Sequence, residues 1–116
     1  MSDVLLIDVD TQEDFMYPSG KLYVPGADKL AGSIRTLFLK CIKRGIPVIS
    51  TMDMHDENDE EFKTFPKHCV KGDRGSDKIS ITRTAGSVYT YIADLGTVPN
   101  DETIEYFQQF YIHKKT

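Results

Sequence analysis

The stretch Val4-Leu5-Leu6-Ile7-Asp8-Val9-Asp10 decides the fold. Its first six residues are nearly all apolar, which reads as a short strand buried on both faces. A loop rich in turn formers follows, with Pro18, Ser19, Gly20, Pro25 and Gly26. From Asp28 to Arg44 the period changes. Leu30, Ile34, Leu37, Phe38, Cys41 and Ile42 fall at i, i+4, i+7, i+8, i+11 and i+12, one apolar stripe along a helix. Lys40, Lys43 and Arg44 complement the dipole in its last turns, and Gly45 ends it. Ile46 to Thr51 reads as a second buried strand, with Pro47 tolerated near its start.

Strand, helix and strand in that order predict a parallel pair joined by a right-handed crossover. The fold class is therefore α/β. Sites in such sheets form beyond the carboxyl ends of the strands. Asp10 lies just past the first strand, and Asp53 and His55 just past the second. Neighbouring strands about 5 Å apart would bring these side chains into one crevice.

The rest of the chain is less patterned. Residues 56–78 read as a long loop without periodicity, a length that is usually functional or disordered. Ile79 to Thr84 alternates like a strand, and Val88 to Leu95 reads as either helix or strand. Asn100 or Asp101 could cap a short helix through Phe107, and Phe110 to His113 reads as a strand. No repeat, low-complexity tract or domain boundary is found. Residues 1–116 are taken as part of a single domain.

Composition narrows the function. The 116 residues carry 14 basic and 18 acidic side chains, a net charge of −4. That is the wrong sign for a nucleic-acid or anionic-membrane binder that works through phosphate contacts. No apolar run approaches the ~20 residues of a membrane span, and the N-terminus lacks the features of a signal peptide. A cytoplasmic location is expected. Two cysteines, Cys41 and Cys69, are too few for a disulfide scaffold and are expected to be reduced.

Six of the acids fall between Asp53 and Glu61 with no Lys or Arg among them. Asp53 and His55 point the same way if strand geometry continues past Thr51, and His68 follows a turn set by Pro66. Two imidazoles with two carboxylates form a mixed nitrogen and oxygen set suited to zinc, iron or manganese. Calcium prefers oxygen ligands alone. A solvated acidic loop with two incidental histidines is the other reading of the same residues. His113 is read as structural.

Four segments carry a family resemblance. Val9-Asp10-Thr11-Gln12-Glu13-Asp14-Phe15 resembles the V-D-x-Q-x-D-F signature of the nicotinamidase/pyrazinamidase branch of the isochorismatase-like cysteine hydrolases. Gly20-Lys21-Leu22-Tyr23-Val24-Pro25-Gly26 resembles its G-x-L-x-V-P-G loop, and Asp53-Met54-His55 its D-x-H metal motif. Phe65-Pro66-Lys67-His68-Cys69-Val70-Lys71-Gly72 resembles its [FW]-P-x-H-C-x-x-G. The resemblance implies a Rossmann-like, three-layer fold, a mostly parallel sheet with flanking helices. It also implies a single divalent metal, zinc foremost with iron or manganese as alternatives, on Asp53, His55, Glu61 and His68, with Asp59 the rival to Glu61.

The same resemblance makes Asp10 the general base of an Asp–Lys–Cys triad, with Lys115 as the lysine and Lys114 the alternative. Phe15 and Phe65 would pack against the ring of a small amide substrate such as nicotinamide. The metal's implied role is to hold the ring nitrogen, directly or through water. The family's nucleophilic cysteine lies downstream of the lysine, so the chain is expected to be the N-terminal portion of the domain, truncated at its C-terminus and inactive alone. A missing C-terminal segment or a homo-oligomer is the expected protein partner. Leu5 to Thr11 also resembles the D-x-D strand of haloacid-dehalogenase-like phosphatases. Thr11-Gln12 replaces that family's Gly-Thr, and the reading leaves His55 and His68 without a role.

Overall fold

The computed structural model of the chain describes residues 3–83, 90–94 and 108–114. Four strands form one sheet: β1 (Leu6–Val9), β2 (Val48–Asp53), β3 (Thr90–Asp94) and β4 (Gln109–Lys114). Their order is β1-β2-β4-β3, and every pairing is parallel. Leu6 is opposite Val48 and Val9 opposite Thr51, while Asp53 is opposite Lys114. The carboxyl ends of β1, β2 and β4 therefore lie together, as the strand–helix–strand reading expects.

The helix before β2 is α2 (Ala31–Arg44), preceded by a 3-10 turn over Ala27–Leu30. The expected start at Asp28 falls in that turn. Gly45 ends α2 in the left-handed region at φ 67° and donates its N–H back to Ile42, a conformation that glycine adopts without steric cost. Phe38 and Cys41 pack with Val48, Leu6, Ile34 and Ile46. The stripe is narrower than its sequence suggests, since Leu30 and Leu37 are exposed. A single helical turn, α1 (Glu13–Met16), follows β1. Among the described residues, no helix is long and apolar enough to cross a membrane.

Two expectations need correction. Strand β1 is buried on one face only, with Ile7 60% and Val9 62% exposed. It is an edge strand of the described sheet, and α2 covers only the face of Leu6 and Asp8. The stretch from Ile79 is not a strand but a 3-10 turn at Ser80–Thr82. There the Thr82 hydroxyl and amide both donate to the Ile79 carbonyl, a local bond that competes with sheet pairing. The long 56–78 segment also holds two 3-10 turns, Glu60–Lys63 and Arg74–Ser76. The short helix expected through Phe107 lies outside the described residues.

A buried polar network ties this turn to the sheet. The Asp8 carboxylate accepts from Lys78 Nζ (2.6 Å), Ser50 Oγ (2.7 Å) and Thr11 Oγ1 (2.8 Å). Gln109 Nε2 donates to Ser50 Oγ and to the Thr82 carbonyl. Burial pulls the Lys78 ammonium below its usual range, and the Asp8 charge opposes that pull. Removing one member of a buried pair strands the other, at a cost of about 3–5 kcal/mol, whereas replacing both by apolar groups is often nearly neutral. Asp8→Leu and Lys78→Met are each expected to destabilise by that amount in urea unfolding, and the double variant by much less. A double variant as unstable as the sum of the singles would contradict this.

Candidate metal centre

Asp10 directly follows β1 and turns out of the sheet in the left-handed region at φ 53°. Such a conformation costs a non-glycine residue about 1–3 kcal/mol, and aspartate tolerates it better than most. Bonds on both sides hold it. The Asp10 amide donates to the Thr51 carbonyl (3.1 Å), and Gln12 N donates to the Asp10 carbonyl (2.8 Å). The Asp10 carboxylate accepts from Thr51 Oγ1 (2.7 Å) and from Lys114 Nζ (2.8 Å). Lys114 Nζ also lies 4.0 Å from Asp53 Oδ1. Lys115 lies outside the described residues, and it is Lys114 that reaches Asp10.

Asp53 ends β2 and is clamped through its backbone. The fully buried Gln12 carboxamide accepts from the Asp53 amide and donates to the Asp53 carbonyl, both at 2.8 Å. A second clamp holds the loop that follows. Buried Asp14 accepts from the amides of Cys69 (2.8 Å) and Lys21 (3.0 Å). A Cβ on Gly75 would overlap the Asp14 carboxylate, so only glycine allows that approach. His55 pairs through its backbone with Cys69 and Lys71. Residues 53–55 and 68–71 are thereby held side by side.

The four side chains expected from sequence to share a metal do converge. One donor atom each from Asp53, His55, Glu61 and His68 lies within 4.8 Å of all the others. His55 Nε2 is 2.8 Å from Asp53 Oδ2 and 2.9 Å from Glu61 Oε2. His68 Nε2 is 3.3 Å from Asp53 Oδ2. Bond lengths of about 2.0–2.1 Å to a tetrahedral ion imply donor separations of roughly 3.3 Å, so the set needs little rearrangement. Asp59 is placed elsewhere, with Oδ2 2.9 Å from His55 Nδ1.

The other ring nitrogens fix the protonation pattern. His68 Nδ1 faces the Pro66 carbonyl at 2.6 Å, which can only accept, and His55 Nδ1 faces the Asp59 carboxylate. Both Nδ1 atoms therefore carry hydrogen, and both Nε2 atoms turn toward carboxylate oxygens, the outer-shell pattern of metal-bound histidines. Asp53 Oδ1 and Glu61 Oε2 are buried without a hydrogen-bond partner. This donor chemistry fits a divalent cation.

Burial alone would make His55 less basic. The hydrogen-bonded carboxylates of Asp59 and Asp53, with the charges of Asp53 and Glu61, outweigh it and raise its pKa. Burial pushes the Cys69 thiol up, as do the nearby charges of Asp53, Asp14 and Asp10, with Lys114 opposing. Cys69 therefore stays protonated. Cys41 is buried against the sheet, so neither thiol is an available nucleophile.

Of the two aromatics expected from sequence, Phe15 reaches the site, its ring 5.6 Å from that of His68. Phe65 is 46% exposed. Phe62, not singled out from sequence, packs on both histidines at 5.2 and 5.5 Å. Its position beside Glu61 was the available signal. A separate groove of about 610 Å³, lined in part by Glu13, Lys21, Asp73 and Arg74, contains none of the cluster's side chains. Its charges pair among themselves, Arg74 with Glu13 and Lys21 with Asp73.

A raised His55 pKa sets a sign for stability without metal. The protonated ring's contribution is complete below the unfolded value of about 6.5 and is lost as pH rises through the higher folded value. Chelated protein is expected to melt higher at pH 6 than at pH 8, and added zinc to raise the melting temperature more at pH 8. His55→Asn should abolish both differences. Chelated protein more stable at pH 8, with no larger zinc increment there, would contradict the assignment.

Comparison with known proteins bears on the fold and on part of the sequence. No family model matches the chain. It is 36% identical over 77 residues to an uncharacterized isochorismatase family protein, PncA, of Bacillus subtilis, covering 62% of this chain and 42% of that protein. The pyrazinamidase/nicotinamidase of Streptococcus mutans superposes with a TM-score of 0.69 at 25% identity, over 96% of this chain and 56% of that one. The pyrazinamidase of Pyrococcus horikoshii, solved in complex with zinc, gives 0.67 at 27% identity, over 97% and 51%. The chain thus spans about half the length of the proteins it matches. In fold and in the matched stretch of sequence this chain is isochorismatase-like, and its likeness runs to the pyrazinamidase and nicotinamidase side of that family.

Proposed function

We propose that the chain carries the metal centre and the acid–base pair of a nicotinamidase-type amidohydrolase, which converts nicotinamide or a similar small carboxamide to the acid and ammonia. One observation supports this above the rest. The Asp10–Lys114 pair at 2.8 Å stands beside a four-donor cluster, with Lys114 Nζ 4.0 Å from Asp53 Oδ1. In this reading Asp53, His55, Glu61 and His68 hold one zinc ion, and Asp59 orients His55. A bound zinc ion would anchor the substrate's ring nitrogen and so orient the carboxamide.

Asp10 takes the proton of an attacking thiol as sulfur bonds to the carboxamide carbon. It returns that proton to the nitrogen as the C–N bond breaks and ammonia leaves. Water, giving a proton to the same carboxylate, then attacks the thioester carbon; the C–S bond breaks, the acid leaves, and Asp10 returns the proton to sulfur. Lys114 pairs with Asp10 before attack and offsets negative charge as it develops. Phe15 forms a wall beside His68. Since neither Cys41 nor Cys69 can supply the thiol, the proposal assigns this chain the base, the lysine and the metal ligands only. Two buried free thiols suit the reducing cytoplasm proposed as its location.

Titration calorimetry on chelator-stripped protein is expected to give one zinc per chain. Asp53→Asn, His55→Ala and His68→Ala should abolish that binding. Glu61→Gln should weaken it more than Asp59→Asn, for which a loss of about 10–100-fold is expected of a second-sphere partner. The reverse order would make Asp59 the ligand.

Ammonia release from nicotinamide by the chain alone should stay at background, and turnover well above background would contradict the roles given to its cysteines. In zinc-loaded protein, nicotinamide should shift the Phe15 ring resonances, and benzamide, which lacks the ring nitrogen, much less. Metal binding at one per chain with no response to nicotinamide would instead favour a metal-binding module without amidase function.

A further inference from the structure

Asp10 meets one residue of the neighbouring strand through both its backbone and its side chain. Its amide is shared between the Thr51 carbonyl (3.1 Å) and the Thr51 hydroxyl oxygen (3.2 Å). Its carboxylate returns to that hydroxyl, Oδ1 accepting from Thr51 Oγ1 at 2.7 Å. Since Oγ1 accepts from the amide, its one hydrogen is directed at Oδ1. A backbone N–H, a hydroxyl and a carboxylate thus close a ring between two residues. The short bond is in the range of a hydroxyl donating to a carboxylate.

The other oxygen, Oδ2, accepts from Lys114 Nζ at 2.8 Å. The two partners differ in stiffness. Thr51 stands on β2, which is paired on both sides, opposite Val9 of β1 and Ile112 of β4. A β-branched side chain there has few χ1 choices. Lys114 reaches Asp10 on a flexible four-carbon stem with rotatable donors, so its ammonium can follow the carboxylate through a change of rotamer. It attracts the carboxylate without fixing its direction. Packing does not supply the constraint either, because Asp10 and Lys114 are both partly open to solvent. Direction matters to a base, whose acceptor oxygen has to come within about 2.6–3.2 Å of the group that gives up the proton.

We propose that Thr51 is a positioning residue for Asp10: its hydroxyl holds the carboxylate in one rotamer, and so sets the direction in which Asp10 meets Lys114 and an incoming thiol. This rests on the base role proposed above for Asp10 and deepens it, because it names the side chain that aims the base.

Three-bond NMR couplings from Asp10 Cγ to its own amide nitrogen and carbonyl carbon report the χ1 populations directly. The proton–nitrogen signal of the Lys114 ammonium, visible when an ion pair slows its exchange with water, reports the pair. Both would be measured on the full chain as wild type, Thr51→Val, Thr51→Ala and Thr51→Ser. Valine keeps the shape and branching of Thr51 and removes only the donor, whereas serine keeps the donor. Wild type and Thr51→Ser should show a single Asp10 rotamer and a persistent ammonium signal. Thr51→Val and Thr51→Ala should show couplings averaged over two or more rotamers, with the ammonium signal weakened several-fold. If Thr51→Val does not fold by circular dichroism, Thr51→Ala carries the comparison. A hydroxyl that only stabilises the strand would lower the melting temperature on removal without moving the couplings. A single Asp10 rotamer in every folded variant would therefore overturn the inference while leaving the Asp10–Lys114 pair intact. Averaged couplings and no ammonium signal in the wild type would overturn the pair itself, and this inference with it.

Discussion

Two imidazole nitrogens and two carboxylate oxygens meet at the end of β2, and in the tautomers their neighbours impose, no hydrogen lies between them. Asp59 and the Pro66 carbonyl claim the Nδ1 hydrogens, which leaves only lone pairs facing inward. Such an arrangement is stable only when a proton or a cation fills it. The scaffold around it is built to hold that unfavourable meeting in place. Gln12 fixes Asp53 through two backbone bonds, and Asp14 fixes Cys69 and Lys21. Two residues at the start of α1 therefore serve the site by gripping main chain rather than by touching any ligand.

The same economy appears one layer down. Asp8 shares strand parity with Asp10 but takes no part in the crevice. It anchors Lys78, Ser50 and Thr11, and Thr11 directly follows the strained Asp10. Two aspartates two residues apart thus divide the labour, one supporting the fold in the dry interior and the other facing Lys114 at the sheet's end. The environments explain the division. Asp8 is met by a buried ammonium and two hydroxyls, whereas Asp10 stays partly open to solvent.

Much of this was legible before any coordinates. The apolar run before Asp10, the helical period before Gly45 and the run at Ile46 fix the parallel pair, and strand ends in such a sheet announce where a site forms. Residue type and spacing made Asp53, His55 and His68 candidates beside the reading of a solvated acidic loop, and the resemblance to a family metal motif decided between the two. Other features were not legible, for physical reasons. Whether Lys114 or Lys115 faces Asp10 depends on the β2–β4 register, which is a long-range fact, and the 79–82 stretch alternates in sequence yet forms a turn, in which its threonine bonds locally. The exposure of Ile7 and Val9 reflects a sheet face that α2 does not cover, which no local pattern records. Phe62 looked like any loop aromatic until the turn at Glu60 set it against both histidines.

The central claim is that this cluster is a cation's ligand shell. X-ray absorption at the zinc edge of the chain loaded with one equivalent of zinc tests it most directly. The account predicts a shell of two imidazole nitrogens and oxygen donors with no sulfur. A shell containing Cys69 sulfur, or one of water oxygens without imidazole, would contradict it.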